Sequence, residues 1–179
     1  MGYERTDCFK YYNELHRLYR DNVDLLQPYL LINDVLFTHA GISHRWIDAV
    51  NTGYYIDGEY KLDSKNVLDW IGNEWLNELK RDCAIRRWGY RELESPIFWC
   101  GSSRGGSDPE AGPFWRDHDW DDHPMKDFYT QIYGHTRTEE IGWLRKSKTG
   151  YCVDSRAIFE YNFDTKQLNV FHEDRENNG

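Results

Sequence analysis

An apolar run that stops at a histidine, with small residues directly behind it, occurs twice in this chain. The two runs are Val35-Leu36-Phe37-Thr38-His39-Ala40-Gly41 and Gln131-Ile132-Tyr133-Gly134-His135-Thr136. A strand that ends on a histidine holds the imidazole at the rim of a sheet. Small residues beside it let the backbone turn sharply and leave room for an approaching group. One such element alone reads better as a sheet-edge histidine satisfied by a backbone carbonyl. Two of them, 96 positions apart, predict two imidazoles meeting at one edge of one sheet. Neutral imidazole is the commonest transition-metal ligand, and rigid strand ends suit such sites.

The segments around these anchors alternate between two periodicities. Phe9, Tyr12, Leu15, His16, Tyr19, Val23 and Leu26 recur at three- and four-residue steps and predict a helix over 5–27, closed by Pro28. Tyr29–Ile32 and Val35–Thr38 flank Asn33-Asp34, the pattern of a tight hairpin. Ser43 can cap a short helix through Val50, and 51–62 read as a loop. Asp63 or Ser64 can cap a second helix over about 65–80, with Val67, Trp70, Ile71, Trp75, Leu76 and Leu79 as its apolar stripe. Pro96–Cys100 reads as a strand entering a Gly-, Pro- and charge-rich loop from Gly101 to Pro124. Further strands are expected at 129–133, 141–144, 151–153, 157–161 and 168–172, with Asp164-Thr165-Lys166 as the last turn and a polar tail over 173–179. Helices dominate the first half and strands the second, so the class is α/β or α+β. Nothing marks a boundary between two domains, and 1–179 is read as a single domain.

Charge and cysteine usage narrow the function classes. The balance of 22 basic against 31 acidic residues, net −9, disfavours nonspecific binding to a phosphate backbone, including through Lys80, Arg81, Arg86 and Arg87. No apolar run approaches the roughly 20 residues that span a bilayer. Cys8, Cys83, Cys100 and Cys152 form no CxxC pair and no dense disulfide framework, which points to a reducing, cytoplasmic setting.

Two further clusters could carry chemistry. In Trp99-Cys100-Gly101-Ser102-Ser103-Arg104-Gly105-Gly106 an arginine sits among Gly and Ser, where its planar fork can meet an oxyanion near backbone N–H groups. No Gly-Lys-Ser/Thr follows, so it is not a Walker loop. His118-Asp119-Trp120-Asp121-Asp122-His123 holds two His and three Asp and could bind a cation, or could be an exposed acidic loop.

Taken in order, Leu36 to Gly41, Trp99 with Arg104, Tyr133-Gly134-His135-Thr136 and Cys152-Val153-Asp154-Ser155 resemble the C-terminal half of a calcineurin-like metallophosphoesterase. The nearest branch in this pattern is the bacterial relatives of serine/threonine protein phosphatases and diadenosine tetraphosphatases. The resemblance spans about 29–172. It implies the C-terminal half of a β-sandwich flanked by helices, in α/β/β/α layers. It also implies a two-metal centre of manganese, iron or zinc at the strand ends, which activates water for in-line attack on phosphorus. His39 and His135 would be ligands of one metal, and Arg104 would clamp the phosphoryl oxygens. The substrate would be a phosphoprotein or a small phosphate ester.

The family's Gly-Asp-x-His-Gly, Gly-Asp-x-x-Asp-Arg and Gly-Asn-His-Asp/Glu motifs do not occur in this sequence. They carry the remaining metal ligands. The chain is therefore expected to be an N-terminally incomplete phosphoesterase with weak or no activity alone, its missing strands exposing a sheet edge for self-association. The alternative is a noncatalytic protein on a degenerate phosphoesterase scaffold, binding a partner, or a metal through His118 and His123.

Overall fold

Asn33 (φ 44°) and Asp34 (φ 66°) set the first hairpin. Two consecutive positive φ values make the type I′ turn, whose twist matches its flanking strands, and Asn and Asp are among the few side chains that tolerate it. The turn joins β1 (Tyr29–Ile32) to β2 (Val35–Thr38), antiparallel, with Ile32 opposite Val35. The computed structural model describes residues 17–18, 21–53, 61–84, 95–117, 130–136, 145–146, 150–155 and 157–173.

β2 pairs in parallel with β3 (Thr130–Tyr133), and β3 in parallel with β5 (Gly150–Cys152). β4 (Arg145–Lys146) adds antiparallel to β5, giving a mixed five-stranded sheet in the order β1-β2-β3-β5-β4. The register sets Thr38 beside Tyr133 and Tyr133 beside Cys152. The C-terminal ends of three parallel strands therefore share one edge, where open α/β sheets bind their ligands. A second, two-stranded sheet pairs β6 (Ala157–Asn162) with β7 (Gln167–Glu173). Its Tyr161 and Leu168 pack on Val35, Ile132 and Tyr151 of the larger sheet. The molecule is a mixed α/β protein.

Two helices pack in the core that takes in Leu36 and Tyr29 of the larger sheet. In α1 (His44–Gly53) the Ser43 hydroxyl accepts the Trp46 N–H at 3.1 Å, the expected N-cap, and Trp46, Ile47 and Val50 are buried. α2 (Val67–Ala84) is led in by two side-chain-to-backbone bonds. Asp63 Oδ1 accepts from Lys65 N at 2.8 Å, and Asn66 Oδ1 accepts from Asp63 N at 2.9 Å. Val67 and Ile71 join Leu36, Ile42, Trp46 and Ile97 in the main core, with Trp70 and Trp75 at its margin. Glu78 is also buried, seven positions after Ile71 and so on the same helix face as Val67 and Ile71.

Several boundaries differ from the sequence reading. Pro96–Phe98 is a 3₁₀ turn, not a strand. Proline cannot donate to a ladder, and its fixed φ suits a first helical position. Phe98 N bonds Ser95 O at 2.9 Å, and the Pro96 carbonyl accepts the Trp46 indole N–H at 2.9 Å. α1 runs on to Gly53, into the expected loop. Glu173 belongs to β7 rather than to the tail. Of the helix expected over 5–27, Val23–Leu25 is a 3₁₀ turn, and most of the rest lies outside the described residues, as do 118–129, 141–144 and 174–179.

Among the described residues β1 is one of the two outer strands, and its Leu30, Leu31 and Ile32 are exposed. Among the described residues no helix is long and apolar enough to cross a membrane.

Candidate active site

The turn after β2 is built to hold His39. Gly41 N donates to the Thr38 hydroxyl at 3.0 Å, and Ala40 N donates to Pro113 O at 2.8 Å. Gly41 has φ +88°, and a Cβ there would lie 3.0 Å from Arg116 Nη1 and 3.3 Å from the Tyr133 ring. Both the backbone sign and the close approach require glycine. Arg116 is itself buried, its guanidinium 5.7 Å from the Tyr133 ring centroid. Beneath the turn, the fully buried Gln131 amide bonds both backbone groups of Ile42, accepting from N at 2.8 Å and donating to O at 2.9 Å. A residue of β3 thus fixes the chain three positions past His39.

His135 follows β3 in the equivalent place. Its φ is +70°, uncommon for a side chain other than glycine and a conformation that persists only where the surroundings impose it. Gly134 N donates to His39 O at 2.9 Å, carrying the β2–β3 ladder one step past the strands. The result is that His39 Nε2 and His135 Nδ1 lie 2.9 Å apart, with ring centroids 4.8 Å apart at 66°. The two imidazoles that the sequence pattern predicts at one sheet edge are in contact. Phe114 stacks near His39 at 6.5 Å and rests on Trp75 and Phe98, each 5.1 Å away. Trp115 meets His135 edge to face at 5.8 Å.

Arg104 reaches the same edge from the glycine-rich loop. It ends a 3₁₀ turn, Ser102–Arg104, and Gly105 closes that turn at φ 81°. Its Nε donates to Asp117 Oδ1 at 2.7 Å, and Nη2 donates to the same oxygen. Nη2 also lies 3.4 Å from His135 O. The Ser103 hydroxyl donates to Asp117 Oδ2 at 2.8 Å.

These contacts set the charge states. Burial, then the nearby His39 and Arg104, hold the His135 imidazole below its ordinary value, while Asp117 and Asp154 pull it back up. The neutral ring, the form that ligates metals, is favoured. Burial pushes Asp117 up, but hydrogen bonds from Arg104 and Ser103 outweigh it and keep the carboxylate ionised. The bond to Asp117 raises Arg104.

A hydrogen bond between neutral imidazoles accounts for the 2.9 Å separation, and so does a shared cation. Paired imidazole nitrogens at one sheet edge are the kind of donors that would hold a divalent transition metal. His135 Nε2 is buried and has no hydrogen-bond partner among the described residues. Among those residues no third His, Cys, Asp or Glu completes a metal-holding group with the pair. His118 and His123 lie outside the described residues.

Asp117, Trp115, Phe114 and Gln131 carry no signal in the sequence that assigned them to a site. Asp117 is adjacent to the acidic run that begins at His118, and that adjacency is the one cue to it. Asp154, felt electrostatically by His135, follows β5 at the same edge as Gly134 follows β3. Comparison with protein-family models, curated proteins and solved structures found no match.

Proposed function

We propose that this chain carries part of a metal-dependent phosphoesterase site of the calcineurin-like type. The observation that carries the reading is the 2.9 Å approach of His39 Nε2 to His135 Nδ1 at the ends of parallel strands, with Arg104 at the same edge. His39 and His135 would hold one divalent transition metal, manganese, iron or zinc, in a centre that is dinuclear when complete. When bound, such ions lower the pKa of water and neutralise phosphoryl charge. Arg104 would bind the phosphoryl oxygens of a phosphoprotein or small phosphate ester with its planar fork. The two sheets packed through Tyr161 and Leu168 support a sandwich in α/β/β/α layers.

Among the described residues the two imidazoles alone leave a metal under-coordinated, because catalytic sites usually take about three protein ligands. The chain alone is therefore expected to turn over phosphate esters poorly. Cys100, which forms no disulfide among the described residues, supports a reducing, cytoplasmic setting, and the exposed apolar strand β1 supports self-association.

The test is calorimetric titration with manganese and with zinc, alongside p-nitrophenyl phosphate turnover. The proposal expects measurable binding lost in both His39→Ala and His135→Ala. Binding that survives both and is lost in His118→Ala with His123→Ala would replace it with the noncatalytic reading.

A further inference from the structure

The guanidinium of Arg104 has five N–H donors in a rigid fork, and the structure divides them unevenly. One edge, Nε and Nη2, is taken by a single oxygen of Asp117, at 2.7 Å from Nε. The other oxygen of Asp117 is held by the Ser103 hydroxyl at 2.8 Å, so the carboxylate is tethered at both ends. Nη2 is further located by the His135 carbonyl at 3.4 Å. Nη1 carries no hydrogen bond among the described residues.

This arrangement is more than a surface ion pair. The Arg104 side chain stays 37% exposed, so burial does little to hold it. A flexible arginine of that exposure samples many rotamers, and ordering it on an anion costs entropy. Asp117 removes that cost in advance by fixing the Nε edge. It leaves Nη1, with both of its N–H groups, as the donor that an oxyanion can meet. Asp117 itself is anchored, because it directly follows Arg116, whose buried side chain packs against the Gly41 turn.

We propose that Asp117, steadied by Ser103, is the positioning residue for Arg104 in oxyanion recognition beside the imidazole pair. The inference rests on the phosphoesterase reading above. It goes beyond that reading by assigning roles to Asp117, which the sequence pattern left out, and to Ser103, to which it gave none. Asp117 touches neither metal nor substrate and acts through Arg104. Its negative charge also offsets the arginine, so positioning and competition make opposite predictions.

The experiment measures inorganic phosphate binding to the full chain with manganese present, by calorimetry. The proteins are wild type, Arg104→Ala, Asp117→Ala, Asp117→Asn, Ser103→Ala and the Arg104→Ala/Asp117→Ala pair, each checked for folding by circular dichroism. Asp117→Ala is expected to weaken phosphate by about tenfold, the size of a coupling between contacting residues. Asp117→Asn keeps an acceptor oxygen for Nε and retains part of the affinity. Ser103→Ala loses about twofold to threefold, in keeping with one supporting hydrogen bond. In the Arg104→Ala background, Asp117→Ala changes nothing further. A general structural role for Asp117 predicts additive losses instead.

If Arg104→Ala weakens phosphate while Asp117→Ala leaves it unchanged or tightens it, positioning is overturned and the phosphoryl role of Arg104 stands. If Arg104→Ala has no effect, or wild type binds no phosphate, the phosphoesterase reading fails and the positioning role falls with it.

Discussion

His39 and Gly134 are joined by a backbone hydrogen bond, Gly134 N to His39 O at 2.9 Å, one residue beyond the last paired positions of β2 and β3. The imidazoles are therefore brought together by a continuing parallel ladder as well as by side-chain packing. Gly134 takes part through its N–H, and its lack of a side chain is not what the site needs. A Cβ there would lie 3.6 Å from Asp154 Cβ and 3.8 Å from His39 O, ordinary contact distances, with no left-handed backbone. Gly134→Ala is expected to change stability in urea by less than about 1 kcal/mol and to keep metal binding. A loss well above that would mean the ladder has no slack at this step.

Gly41 makes the opposite case within the same site. Its φ of +88° costs an L-residue about 1–2 kcal/mol before any contact is counted. The new methyl would also press on Arg116 and Tyr133. Gly41→Ala is expected to lower urea stability by about 2–3 kcal/mol and to weaken metal binding, since the turn that sets His39 must shift. Urea unfolding of both alanine variants in parallel checks the contrast. Equal losses at the two positions would overturn it.

Local chemistry explains what the sequence made legible. Asn33-Asp34, Ser43 and Asp63 each act on backbone groups within three residues, so their turn and caps could be read directly. The meeting of His39 and His135 is nonlocal, yet it was readable because each ends a strand in the same way. Ile97-Phe98-Trp99 misled, since a short apolar run suits a strand or a packed turn equally and the proline in front decides. The Arg104–Asp117 pair was not legible, because it closes 13 positions of irregular loop with no period to mark it. Gln131 was hidden for another reason. It sits in an apolar strand pattern, and only the fold shows that its amide serves a backbone 89 positions away.

Gln131 should therefore be among the costliest polar residues to replace. Gln131→Met keeps most of the volume but removes both bonds to Ile42, leaving a buried N–H and a buried carbonyl unpaired. Each orphaned group costs about 1–3 kcal/mol, so a total near 2–4 kcal/mol is expected by chemical denaturation. A change below about 1 kcal/mol would mean that water reaches Ile42.

The depressed His135 imidazole gives the metal-free protein a pH signature with a definite sign. Its folded-state pKa lies below the unfolded value near 6.5. Between those two values the unfolded chain binds more protons, so stability rises with pH. The contribution is fully present above about pH 6.5 and is lost as the pH falls through the folded pKa. Asp117 is held below its ordinary value of 3.8, so its loss begins only in more acidic solution and is separable. His135→Asn removes the titration while suiting the left-handed backbone, since Asn tolerates positive φ better than most residues. Urea midpoints from pH 8 to 5 in chelator should fall more steeply for wild type than for His135→Asn. Parallel curves would mean that the half-buried ring pays no protonation penalty, and the neutral-imidazole argument for the site would then fail.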